Sequence, residues 1–130
     1  MYNYALKHGV DDPRVYNNLG ILYVQLDDLN KAAFYYQKAI NLEKNSTEPH
    51  SGLAFVYSEQ GKFKEALAEL DLLLKINPNF AMGYFQLGSV YKRLGWKKEA
   101  IDAYQRYAEM QPNTPKALEA KQSIEKLRTE

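Results

Sequence analysis

The chain has 130 residues, 17 basic and 16 acidic side chains, a formal net charge of +1 and no cysteine. With 45% hydrophobic and 25% charged residues it has the composition of one folded domain rather than of a disordered segment. Disulfides, thiolate metal sites and cysteine nucleophiles are excluded, no apolar run is long enough to insert in a membrane, and the positive excess on which nucleic-acid binding draws is missing.

Along the chain, Tyr2, Ala5 and Leu6 come first, without the basic start and apolar core of a secretory leader. Asp12-Pro13 reads as a helix N-cap followed by proline at the first helical position. Three windows of 34 residues then begin at Pro13, Thr47 and Ala81. The first half of each shows apolar residues at helical spacing: Tyr16, Leu19 and Tyr23; Leu53, Ala54 and Tyr57; Tyr84, Leu87 and Tyr91. The second halves do the same with Ala32, Tyr36, Ala39 and Ile40; Ala66, Leu70, Leu73 and Leu74; Ala100, Tyr104, Tyr107 and Ala108. Gly61 and Gly95 break the paired helices, and Asn77-Pro78-Asn79 and Gln111-Pro112-Asn113 separate windows. The first window uses Asp27-Asp28 and Asn45-Ser46-Thr47 in those places.

Placed in register, the windows align Leu19, Leu53 and Leu87, then Gly20, Ala54 and Gly88, then Tyr23, Tyr57 and Tyr91. Ala32, Ala66 and Ala100 follow, then Tyr36, Leu70 and Tyr104, with Pro78 and Pro112 closing the later two. This pattern resembles the tetratricopeptide repeat over residues 13–114. The small columns mark where paired helices approach closely. The resemblance implies an all-α solenoid of antiparallel helix pairs, a superhelix with a concave inner face and a C-terminal capping helix. The whole chain reads as one domain: 1–12 as the second helix of a truncated preceding repeat, full repeats at 13–46, 47–80 and 81–114, and a cap at 115–130. In the cap Ala117, Ala120, Ile124 and Leu127 form one apolar stripe on an otherwise polar helix. The start in mid-repeat favours a fragment of a longer protein over a half-repeat cap. The edge left by Tyr2 and Leu6 is expected to self-associate.

Catalysis has little to build on. No catalytic carboxylate pair, phosphate loop or nucleophile with a base is present, and no cofactor or metal is called for. His8 and His50 have no partner at ligand spacing, and His50 stands in the column of Tyr16 and Tyr84, where packing is expected. Most of the eleven tyrosines occupy repeat columns; Tyr35 does not and reads as exposed. Lys92-Arg93-Leu94-Gly95-Trp96-Lys97-Lys98 reads as a helix end and tight turn, with Trp96 folded back onto its hairpin.

The expected function is therefore a scaffold that binds a peptide of a partner protein in the concave groove. Edge-to-edge assembly with copies of itself or with its parent chain is the alternative, and the compartment stays open with the cytoplasm favoured. The family's carboxylate clamp for chaperone tails would require Lys and Asn, then Asn, then Lys and Arg where this chain has Asn17 and Ile21, Gly52, then Met82 and Gln86. The match fails at each position. Window positions 2, 5, 9 and 12 share an arc of roughly 80° away from the core columns. That arc nominates Asn17, Ile21, Val24, Ser51, Phe55, Met82, Phe85, Ser89 and Lys92 as ligand-binding residues. The apolar members have no evident folding role, and Lys92 makes one end basic. The mixture suits a peptide with apolar anchors and an acidic residue.

Overall fold

The computed structural model describes residues 11–130, and the expectations for Tyr2, Leu6 and His8 lie outside them. Among the described residues there are seven α-helices and no strand: α1 (Pro13–Gln25), α2 (Leu29–Leu42), α3 (Thr47–Glu59), α4 (Phe63–Ile76), α5 (Ala81–Leu94), α6 (Lys97–Met110) and α7 (Pro115–Thr129). The described residues form two compact units, 11–72 and 73–130, with the boundary inside α4. None of the described helices is long and apolar enough to cross a membrane.

Local chemistry sets the helix ends. Asp12 caps α1 by accepting the Arg14 N–H at 2.9 Å, and Thr114 caps α7 by accepting from Ala117 at 3.1 Å, each ahead of a proline. The three turns inside the helix pairs are built alike. Asp28, Lys62 and Trp96 donate their backbone N–H to the carbonyls of Tyr23, Tyr57 and Tyr91 at 2.8, 2.8 and 2.9 Å. This closure needs a left-handed residue one position earlier. Gly61 (φ 77°) and Gly95 (φ 79°) supply it, and in the first turn Asp27 does (φ 59°). Aspartate tolerates that region better than most side chains. Its neighbour Asp28 then caps α2 by accepting the Lys31 N–H, so the two aspartates divide the glycine's work. In the third turn Trp96 stacks on Tyr91 at 5.8 Å. This is the apolar contact that accompanies such a closure, and it explains why the aromatic comes one position earlier than Phe63 does.

In the first unit α1 packs on α2, and α3 packs on both. Ala32, Tyr36, Ile40, Leu53 and Val56 form one buried cluster, and Tyr16, Leu19 and Ala39 another. Full burial of each large side chain contributes about 1.5–3 kcal/mol. The small column proves to be paired with the aromatic column. A Cβ on Gly20 would stand 2.6 Å from the Tyr36 ring, and one on Gly52 would strike the same ring from α3. Tyr35, expected to be exposed, is half-buried instead. Its ring lies between Tyr16 and Tyr23, at 6.2 and 5.5 Å, with Phe34 edge-on at 5.1 Å. His50 is buried in its column and adds a polar tie: Nδ1 lies 2.7 Å from Glu69 Oε1, and Nε2 lies 2.9 Å from the Lys44 carbonyl. The loop that lacks the closing proline is thus fastened by a side chain.

In the second unit α6 packs on both α5 and α7. Ala81, Ala100, Tyr104 and Tyr107 join Ala117, Ala120, Ile124 and Leu127 in one buried cluster. Gly88 repeats the device of Gly20, its missing Cβ leaving room for Tyr104 at 2.7 Å.

Candidate functional site

The nominated residues fall in both units, and each unit is taken by itself. In the first, Asn17, Ile21 and Val24 stand on α1 and Ser51 and Phe55 on α3, two helices in contact. Asn17 is 8% exposed and donates from Nδ2 to Glu48 Oε2 over a long 3.4 Å, while its Oδ1 has no partner among the described residues. Ile21 and Phe55, one turn beyond Asn17 and Ser51, stand in solvent at 43% and 44% exposure. Ser51 is half-buried. Val24 packs on the Tyr36 cluster, so it has a folding reason to be apolar, contrary to expectation. The Tyr36 ring passes between Gly20 and Gly52, and burial pushes its hydroxyl up to about 12.

In the second unit Met82, Phe85, Ser89 and Lys92 stand on α5. Phe85 meets Tyr104 and Tyr107 edge-on, each at 5.4 Å, and Lys116 Nζ sits 4.5 Å over its ring. It too has a folding role, contrary to expectation. Ser89 is turned to internal use, because Tyr104 hydrogen-bonds both Ser123 and Ser89. Burial raises the Tyr104 hydroxyl, and those two bonds pull it partly back. Met82 is half-buried and Lys92 exposed, the latter beside Arg93 in the last turn of α5, where positive charge suits the helix dipole. Among the described residues no three His, Cys, Asp or Glu side chains gather to hold a metal ion.

Two features escaped the sequence reading. Glu48 shares the arc, at position 2 of the second window, but stands outside the nominated set, yet it is the partner of Asn17. Charge is also unevenly divided. Residues 11–72 carry ten acidic and six basic side chains, and residues 73–130 carry six acidic and ten basic. Counting charge by halves of the chain would have shown it.

Paired helices repeated at one period, each pair closed by the same turn, define an all-α repeat solenoid. Models of the tetratricopeptide repeat match residues 23–86 and 83–114. The chain belongs to the tetratricopeptide repeat family. It is 34% identical over 86 residues to the small glutamine-rich tetratricopeptide repeat-containing protein 2 of Mycosarcoma maydis, a match covering 66% of this chain and 24% of that protein. The chain spans about a quarter or less of the length of the first curated relatives it matches. Among solved structures, MamA is 25% identical with a TM-score of 0.88, covering 98% of this chain and 73% of that one. YrrB, described as a tetratricopeptide repeat protein with an unusual peptide-binding site, is 25% identical with a TM-score of 0.83, covering 94% and 63%.

Proposed function

We propose that the chain is a non-catalytic scaffold that holds a segment of another protein, with Ile21 and Phe55 as apolar anchors of the first unit. The exposure of these two side chains carries the reading. They occupy equivalent positions on α1 and α3, and polar groups of Asn17 and Ser51 stand one turn away. An apolar anchor flanked by hydrogen-bonding groups is what peptide recognition uses. In the second unit Met82 and Lys92 are the corresponding offering, with Ser89 drawn inward by Tyr104. Family membership and the peptide-binding site named for YrrB support the reading. The failed match to the carboxylate clamp argues against a chaperone tail as the ligand.

Selection of a displayed random-peptide library on the immobilised chain tests this. Enriched peptides should bind the Ile21→Ser, Phe55→Ser double variant at least roughly tenfold more weakly, as hot-spot residues do. Undiminished binding by a double variant that melts like the parent would reject the anchors.

A further inference from the structure

The first unit holds a cleft of about 280 Å³ where the start of α1 faces the α2–α3 loop and the first turn of α3. Its chemistry is one-sided. Glu43 and Glu48 border it with carboxylates. The cation on its rim, Arg14, is held by Asp12, at 2.9 Å from Nη2 and 3.2 Å from Nε, and is also drawn to Glu43, which leaves the cleft with more negative than positive charge. Ser46, also on the wall, makes no side-chain capping bond to α3.

A separate observation concerns Asn17, which lines the same cleft. It is 8% exposed, its one amide bond reaches Glu48 at 3.4 Å, and its carbonyl oxygen is buried without a partner among the described residues. A buried acceptor left without a donor is costly. Two carboxylates and a hydroxyl supply acceptors on this wall, beside the amides of Asn17 and Asn18. The fitting guest has several donors and no acceptor, which describes an ammonium or a guanidinium group. The volume suits one side chain rather than a cofactor. The acidic excess of residues 11–72 would draw a cation in and repel an anion.

We infer that this cleft receives a cationic side chain, lysine or arginine, of the partner segment. The inference rests on the scaffold reading and gives the first unit a selectivity opposite in sign to that of the family's carboxylate clamp. A basic residue of the partner seats between Glu43 and Glu48, beside the Asn17 side chain. The apolar residues of the same segment are left for Ile21 and Phe55.

The test is an NMR titration of the ¹⁵N-labelled chain with Nα-acetyl-lysine methylamide, with the norleucine analogue as the uncharged probe of similar length. The lysine probe should give saturable shifts at the Asn17 side-chain amide and at the Thr47 and Glu48 backbone amides, with a dissociation constant of the order of millimolar. Norleucine should leave them in place. Glu43→Gln with Glu48→Gln should weaken the lysine probe about fivefold or more, and Glu48→Gln alone serves if the double variant does not fold. Equal shifts from norleucine, shifts that never saturate, or unchanged affinity of the glutamine variants would overturn the inference. Failure here with peptide binding still dependent on Phe55 leaves the scaffold reading standing. Loss of Phe55-dependent binding with the lysine probe still seated removes that reading instead.

Discussion

The two units follow one rule of assembly and use it differently. In each, a glycine of one helix accepts a tyrosine ring of the next: Gly20 with Tyr36, and Gly88 with Tyr104. In the first unit the ring is held from two sides, by Gly20 and Gly52, and burial alone governs its hydroxyl. In the second the hydroxyl is tied to Ser89 and Ser123. The same helix position that carries exposed Ile21 and Phe55 in the first unit carries those inward-bonded serines in the second. Net charge runs in opposite directions, four negative over 11–72 and four positive over 73–130. A repeat that engages its variable positions internally gains stability there and leaves less for a partner. The first unit keeps Ile21 and Phe55 open.

The strongest test of the difference is His50, which has no counterpart in the second unit, where Tyr84 fills the column. His50→Ala removes a buried ring and leaves Glu69 and the Lys44 carbonyl without their partner. We expect a loss of about 2–4 kcal/mol in chemical denaturation. A loss below about 0.5 kcal/mol, the usual range for a surface change, would show that the loop does not depend on this tie.

Next comes the packing rule itself. Alanine normally improves a helix over glycine by about 0.5–1 kcal/mol. Here Gly20→Ala and Gly88→Ala should each destabilise by about 1–3 kcal/mol, because the methyl group enters a tyrosine ring. The middle window supplies the compensating pair, with Ala54 and Leu70 in the same two columns, both buried. Gly20→Ala combined with Tyr36→Leu should therefore recover part of the loss. Additive losses in thermal melts would break the proposed pairing of columns.

Much of this was legible in the sequence. Period, helix pairs, turns and most buried columns follow from side-chain size and apolar spacing, which are local properties repeated three times. The reading faltered where a position serves its neighbour rather than its own column. Val24 and Phe85 lie on the arc away from the core columns, yet they pack on the Tyr36 cluster and on Tyr104 and Tyr107. Ring size lets an aromatic reach past the arc its Cβ defines. Tyr35 has no column of its own and is covered by Tyr16 and Tyr23 of the facing helix. Asn17 lies on the nominated arc, but its bond to Glu48 spans 31 residues and has no periodic signature.

Phe55 and Phe85 separate the two uses of the arc. Phe85→Ala removes a ring set against two tyrosines and should lower stability by about 2 kcal/mol, less than the cost at a fully buried site. Phe55→Ala, with the ring 44% exposed, should stay within about 0.5 kcal/mol. Urea titrations of the pair check this, and equal losses would erase the distinction between an anchor and a core residue.

The smallest effect divides the two tyrosines. Tyr104→Phe discards hydrogen bonds to Ser123 and Ser89 and should destabilise by about 1 kcal/mol, while Tyr36→Phe removes a hydroxyl raised by burial and should cost less. Alkali reverses their order. Tyr36 is held neutral in the folded chain up to about 12, against 10.0 when exposed. Between those values the unfolded chain loses its proton and the folded chain keeps it, so the Tyr36 contribution is complete below about pH 10 and is lost as pH rises through about 12. Tyr16, Tyr57 and Tyr104 are raised as well and add to the slope. Thermal midpoints followed across this range should fall for the parent and fall less steeply for Tyr36→Phe. If the two curves stay parallel, the Tyr36 hydroxyl is open to solvent, and the ring does not fill the gap between Gly20 and Gly52 as tightly as the structure has it.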